Sequence, residues 1–436
     1  MGRRLPLGVA GALGALCALV LLFNSEVLVA RRRGQPHPAA HLLTWRQLAE
    51  RQDYVYAYHG GTVRFPMLAL GARLDRACPG GRDAPPYVTV VAGGRLGNLI
   101  MEYAAAWALA EAYGLPAYVP DSLLKRLKSV FVGLSLRSES VVLGEDAHCR
   151  AAMGVASESA ARDGDGEGGG GGGGGAGASA RPRLEGEGEE KEESEFRPWT
   201  ELTPVELRHG QLPQVVRTAH KQRALIVLDI CSLLPEAVVP MADRLRKELV
   251  FQPLLRKAAQ AELRRLRKKH FPTFDGEVVY GAVHARRTDY HAQLELLYNV
   301  SQPAGVPFFV SAAAWLRRAL EPHERLLLVV VSDDAVWAQE ELVPALRAAG
   351  EADRVGGGWA AAWAGNGDPL RPERDLALLA ACNHTVFAYG TFGLSAALVA
   401  GGRGIVYQLA REPLHPTLLT PSEQFARHMP GWVALR

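Results

Sequence analysis

The sequence predicts an α/β protein of two αβ lobes with parallel sheets, preceded by a single transmembrane helix. Three observations support this. Short runs such as Ala224–Ile230 and Leu326–Val331 are almost continuously apolar, as strands buried on both faces require. Such runs alternate with helix-length segments, the pattern of parallel strands joined by helical crossovers. The third is a charge-free run of nineteen residues, Leu5–Phe23. The 436 residues, 48% apolar and 22% charged, suffice for two or three domains and exclude a chain disordered as a whole. With 49 basic and 46 acidic residues the formal charge is +3, so no nucleic-acid partner is expected.

At about 1.5 Å per residue, Leu5–Phe23 nearly crosses a hydrocarbon layer about 30 Å thick. A cleaved signal peptide ending at Ala30 is the competing reading. Leu28 is large for the position two before such a cut, so an uncleaved signal anchor over 5–30 is expected, after a cytosolic tail of residues 1–4. Residues 31–86, rich in Pro, Arg and Gly, read as a stem.

The N-terminal lobe is expected over 87–270. It opens with a strand at Tyr87–Ala92, a turn at Gly93–Gly97 and an Ala-rich helix from Asn98 to Tyr113 ended by Gly114. A second strand–helix unit follows through Leu127. Within this lobe, 154–198 holds the glycine run Gly168–Gly175 and an acidic stretch around Glu185–Glu195, and is expected to be a disordered insertion. The basic stretch 241–270 reads as a helix with Leu245, Leu249, Leu255, Leu263 and Leu266 turned inward. Its cations then form a solvated face, a reading preferred to a membrane or polyanion patch.

The C-terminal lobe, 271–436, alternates strands at Val278–His284, Leu326–Val331, Thr385–Tyr389 and Ile405–Gln408 with helices at Phe308–Leu320, Asp334–Ala348, Glu373–Cys382 and Phe392–Ala400. A cleft is expected between the lobes, with ligands at the carboxyl ends of the strands. Cys17 lies in the anchor; Cys78, Cys149, Cys231 and Cys382 allow three disulfide pairings in an oxidising lumen, or stay as buried thiols. Asn299-Val300-Ser301 and Asn383-His384-Thr385 have the form of glycosylation acceptors.

Polar residues at strand ends are the candidates for chemistry. Strand alternation puts His284 and Arg286 on one face and Arg287 on the other. A His beside an Arg suits phosphate oxygens, and Arg287 is expected to pair with Asp289 and hold the turn. In Ser332-Asp333-Asp334, adjacent carboxylates at a helix start do not converge on one ion, so helix capping is expected and a metal site is not. Tyr389-Gly390-Thr391-Phe392-Gly393 enters a helix whose first amides, with the Thr391 hydroxyl, favour an anion. Asp375 opens the preceding helix. Gly93-Gly94-Arg95-Leu96-Gly97-Asn98 joins strand to helix, and its glycines admit a ligand to the backbone. It is neither a Walker sequence nor a G-x-G-x-x-G.

Four stretches, GGRLGNLIMEYAAAWALA (93–110), VHARRTDY (283–290), VVVSDDAVWAQEEL (329–342) and DLALLAACNHTVFAYGTFGLSAALVAGG (375–402), together resemble the α-1,2-fucosyltransferases of glycosyltransferase family 11. The resemblance runs over roughly residues 87–410, and the Arg-Arg-x-Asp-Tyr element is shared with α-1,6- and protein O-fucosyltransferases. The chain departs from the pattern at Thr288, where Gly is common. It departs again over 355–368, Gly- and Trp-rich where a strand with an acidic loop is expected, and in the 154–198 insertion.

The resemblance implies a two-lobed GT-B-like fold with a Rossmann-type C-terminal lobe that binds GDP-L-fucose. It also implies inversion at the fucose anomeric carbon, no metal cofactor, and a β-galactoside-terminated glycan as acceptor. Arg286 would neutralise the leaving β-phosphate, with His284 and Asn98 orienting the diphosphate. Gly97, Arg287, Thr391, Phe392 and Gly393 would line the phosphate and nucleotide site, and Asp375 would meet guanine or ribose. Asp289 or Glu102 would take the acceptor's proton. With the anchor, the expected location is the Golgi cisterna membrane, single-pass type II, with the body lumenal. A fucosyltransferase of another linkage and a non-catalytic glycan- or nucleotide-binding protein stay open as alternatives.

Overall fold

The computed structural model of the chain describes residues 86–140, 210–228, 233–291, 302–353, 357–366, 370–409 and 420–436. It also describes strand residues 58–59, 62–63, 68–73 and 199–204 and single positions 294, 300 and 368. The expected tail, anchor, 154–198 insertion and most of the stem lie outside these residues. Among the described residues no helix is long and apolar enough to cross a membrane. That finding corrects the expected localisation as a single-pass Golgi membrane protein.

Two sheets organise the fold. The N-terminal sheet has strands β1 (Leu68–Arg73), β2 (Val88–Val90), β3 (Trp199–Pro204) and β4 (Leu225–Leu228) in the order β2-β4-β1-β3. β2 runs parallel to β4, and β1 antiparallel to both its neighbours. β1 belongs to the segment read as stem, so the chain before residue 86 already contributes to this sheet.

Helix α1 (Leu96–Tyr113) follows β2 and is buried along most of its length, with Ile100, Met101, Tyr103 and Ala104 inaccessible. A helix apolar on every side must be enclosed by other elements. Gly114 ends it in the left-handed region at φ 63°, its N–H donating to the Ala110 carbonyl. Helices α2 (Asp121–Lys128) and α3 (Leu212–Gln222) complete the layer around this sheet.

The basic stretch read as one helix is two, α4 (Ala242–Glu248) and α5 (Pro253–His270), parted by a short strand at Val250–Phe251. Pro253 opens α5, where its missing N–H has no helical partner to lose. Leu245, Leu249, Leu263 and Leu266 are buried, so the solvated-face reading holds.

The C-terminal sheet has six parallel strands: β5 (Val278–Ala285), β6 (Arg325–Ser332), β7 (Trp359–Trp363), β8 (His384–Phe387), β9 (Gly404–Tyr407) and β10 (Val433–Leu435). Their order is β7-β6-β5-β8-β9-β10. The chain steps outward from β5 to β7, then returns to the other side of β5 as β8. The order therefore reverses between β5 and β8, and ligand crevices open at the carboxyl ends of such a pair.

Helix α6 (Val306–Arg318) follows β5, and a helix over 335–352, α7, follows β6 and passes through a π-helical turn at Ala338–Leu342. Next come α8 (Pro372–Ala380), α9 (Thr391–Ala400) and α10 (Pro421–His428). The Gly- and Trp-rich 355–368 stretch does form a strand, β7, at the sheet edge. Helix α10 is closed by a capping box between Thr420 and Glu423.

One apolar cluster extends through both sheets' surroundings, with α1 packed against α9. The two halves thus touch along this seam. Cys382 is a buried free thiol whose Sγ–H points to the Leu378 carbonyl at 3.4 Å, and burial pushes its pKa up. Cys78, Cys149, Cys231 and Asn299 lie outside the described residues. The Asn383 Oδ1 accepts from the Tyr280 N–H at 2.8 Å, tying the entry of β8 to β5.

Candidate active site

β5 ends at Ala285, and the turn that follows carries the densest set of charges near the switch point. The Arg286 guanidinium donates from Nε to Asp289 Oδ1 at 2.8 Å and from Nη2 to Oδ2 at 2.6 Å. Two parallel bonds fix the plane of the group as well as its place. Nε also stands 3.5 Å from Asp333 Oδ2. Desolvation works against the Arg286 charge, but Asp289 and Asp333 outweigh it and raise the pKa. Nη1 makes no hydrogen bond among the described residues, so that end of the group is available to a ligand.

The expected Arg287–Asp289 pair does not form. Alternation sends Arg287 to the other face, where its guanidinium lies 3.9 Å from the Trp337 ring centroid and Nε is 3.5 Å from Asp334 Oδ2. Asp289 instead serves Arg286 and also meets Arg95 Nη1 at 3.2 Å, which ties this turn to the glycine turn before α1. Burial favours its neutral form, yet Arg286 and then Arg95 bring its pKa below the usual carboxylate range.

His284 is 3% exposed, its ring centroid 5.1 Å from that of Phe392, and its Nδ1 has no hydrogen-bond partner. A Cβ on Gly393 would come within 2.8 Å of that nitrogen, so only glycine leaves it room. Burial, the main cause, pushes the His284 pKa down to about 4; Asp333 opposes this and Arg286 adds to it. The imidazole is neutral at physiological pH.

The two helix N-termini meet at this edge. Thr391 Oγ1 donates to Asn98 Oδ1 at 2.5 Å, and Ser395 Oγ lies 2.7 Å from the Thr391 carbonyl and 3.3 Å from that of Gly97. A Cβ on Gly97 would stand 2.5 Å from the Phe392 nitrogen, so the contact is backbone on backbone. Glu102 is buried inside α1, where Oε2 accepts from the Gly93 N–H at 3.2 Å. Asp375 sits in the first turn of α8 and accepts from the Asn366 N–H at 2.9 Å. Burial pushes its pKa up to about 6, against the Asn366 bond and with help from Glu373. Asp375 thus bonds within its own loop, while His284, Arg286, Asp289, Asn98, Thr391, Phe392 and Gly393 are brought together.

Asp333 and Asp334 diverge. Asp333 accepts from the Arg287 and Thr288 backbone and the Thr288 hydroxyl, whereas Asp334 accepts from the Trp337 N–H at 3.1 Å and caps α7. Arg95 and Asp333 escaped the sequence reading as site residues. Arg95 had one signal, a lone cation within a glycine turn; Asp333 had its place at a strand end, but its partners lie some 45 positions away.

An arginine–aspartate cluster and two helix N-termini at the switch point of a parallel sheet define the class: an α/β protein whose sheet edge suits an anionic group. Residues 241–436 match the model of glycosyl transferase family 11. Galactoside alpha-(1,2)-fucosyltransferase 1 of Leontocebus fuscicollis is 33% identical over 166 residues, covering 37% of this chain and 40% of that protein. Galactoside alpha-(1,2)-fucosyltransferase 2 of Oryctolagus cuniculus is 27% identical over 352 residues, 80% of this chain and 76% of that protein. The chain thus spans about 40% of the length of the first relatives it matches. Among solved structures, a mutant of Arabidopsis thaliana FUT1 in complex with GDP aligns with a TM-score of 0.39 at 12% identity, covering 89% of this chain and 80% of that one. NodZ alpha-1,6-fucosyltransferase soaked with GDP-fucose aligns at 0.34 and 13%, covering 72% and 93%. Scores this low leave the fold to be read from the chain itself.

Proposed function

We propose that the chain is a galactoside 2-α-L-fucosyltransferase with a two-lobed, GT-B-like fold. It transfers L-fucose from GDP-L-fucose, with inversion, to the 2-hydroxyl of a terminal β-galactoside. The names of the relatives support the reaction. The observation that carries it is the Arg286 guanidinium, locked by Asp289 at the switch point with Nη1 unoccupied.

As the acceptor's 2-hydroxyl oxygen attacks fucose C1 and gives up its proton to solvent, the bond from C1 to the β-phosphate oxygen breaks and leaves its electron pair, and the negative charge, on GDP. A guanidinium already fixed in plane stabilises that charge without reorganising, and it does so in a partly desolvated place where the interaction is strong. The first amides of α9 add a partial positive charge. The Asn98 Oδ1 accepts from Thr391, which leaves its Nδ2 to donate to a diphosphate oxygen. Neutral His284 contributes hydrogen bonding without charge. Asp289, held by two guanidiniums, is a weak base and is assigned here to positioning Arg286. In this reading the guanidinium takes the place of a divalent cation.

The test supplies GDP-L-fucose with a β-galactoside-terminated oligosaccharide and follows GDP release and product linkage. An α-1,2-linked product is expected. Transfer to another hydroxyl or to a protein acceptor would assign a different linkage, and nucleotide binding without turnover would make the chain a binding protein.

A further inference from the structure

Asp333 collects the donors of the turn after β5. Its Oδ1 accepts from the Arg287 N–H at 2.8 Å, and its Oδ2 from the Thr288 N–H at 3.3 Å and the Thr288 hydroxyl at 2.6 Å. The same Oδ2 is 3.5 Å from Arg286 Nε. Asp333 directly follows β6, whose last residue, Ser332, lies in register with Ala285 at the end of β5. One carboxylate therefore pins the end of one strand to the turn of its neighbour.

That anchoring supplies what Asp289 cannot. Asp289 fixes the plane of the Arg286 guanidinium and reaches the glycine turn before α1 through Arg95, but neither contact ties the turn to the neighbouring strand. Asp333 joins the turn to β6 and so fixes it against the sheet. Of the three hydrogen bonds that hold it there, the one from the Thr288 hydroxyl is the shortest. A hydrogen bond to an ionised group is stronger than one between neutral groups.

We propose that Thr288 is a positioning residue for Arg286. Its hydroxyl holds Asp333, Asp333 holds the turn, and the turn keeps Nη1 of Arg286 directed at the β-phosphate position. The inference rests on the fucosyl-transfer reading and adds a residue to it. Thr288 is exposed, so Thr288→Val removes the donor at constant shape without opening the core, and Thr288→Ser keeps the donor.

Calorimetric titration of wild type and both variants with GDP and with GMP tests this. Only GDP carries a β-phosphate, so the ratio of the two affinities reports where Arg286 is held. Wild type should prefer GDP, and Thr288→Val should narrow that preference by about three- to tenfold, with GMP affinity and melting temperature unchanged. Thr288→Ser should restore it. An unchanged ratio in Thr288→Val overturns the role of Thr288 and leaves the fucosyl-transfer reading standing. Equal losses for GDP and GMP overturn it too, because they mark a merely structural residue. A wild type that binds GDP no better than GMP overturns both readings.

Discussion

Arg286 and Asp289 meet edge to edge, Nε to Oδ1 at 2.8 Å and Nη2 to Oδ2 at 2.6 Å, on a turn at the carboxyl end of the sheet's central strand. The pairing occupies one edge of the guanidinium and presents the other. It also explains why the carboxylate that follows Arg286 by three residues is better suited to orienting the arginine than to accepting a proton.

Asp289→Asn keeps the size of the side chain and one acceptor but loses the second parallel bond. The expected result is a fall in kcat of about ten- to a hundredfold with a much smaller change in donor KM. Steady-state kinetics at fixed acceptor concentration check this. Unchanged kcat would separate Asp289 from the placement of Arg286.

Gly97→Ala places a Cβ 2.5 Å from the Phe392 nitrogen and 2.7 Å from its Cα. Backbone atoms cannot swing aside, so α1 and α9 must separate. A loss of about 3 kcal/mol or more in unfolding free energy is expected, together with loss of activity. Gly114→Ala makes the comparison: φ is +63° there but the surroundings are open, so a cost of about 1 kcal/mol is expected from the backbone alone. Denaturant unfolding of the two variants distinguishes them, and equal costs would contradict the tight seam.

His284 gives the protein a dependence on acid. Its folded pKa, about 4, lies below the value of about 6.5 expected in the unfolded chain, so between these limits only the unfolded state takes up the proton. Stability attributable to the neutral imidazole is complete above pH 6.5 and falls as the pH drops toward 4, by roughly 3 kcal/mol at most. Unfolding of wild type and His284→Gln at pH 7 and pH 5 measures it: the variant should lose less on acidification. The same slope in both would show that His284 titrates normally.

The C-terminal sheet was legible because its central strands are apolar runs that stop abruptly at polar residues. Val278–His284 and Leu326–Val331 were placed within a residue of their observed bounds. β7 was harder to see, because WAAAW is built mainly from alanine, which has little preference for strands. The capping box of α10 was present in the sequence as Thr420-Pro421-Ser422-Glu423 and went unread.

At the site, the residues on one strand end could be gathered by alternation, but not their partners. Reading Arg287 toward Asp289 put the pair two residues apart in the chain, whereas the turn brings Asp289 back to Arg286 and leaves Arg287 above Trp337. Asp333 was legible only as a polar residue at a strand end and was read as a cap, since what makes it part of the site is the register between β5 and β6. Burial likewise decides the charge of His284, and no local motif encodes it.

The most direct test of the account is the rate of fucose transfer to a β-galactoside by Arg286→Ala, set against wild type in excess EDTA. The account predicts full wild-type turnover under chelation and a loss of about a thousandfold or more in the variant, with its melting temperature near that of wild type. A folded Arg286→Ala that transfers fucose at a near-normal rate, or a wild type that stops in EDTA and recovers with manganese, would contradict it.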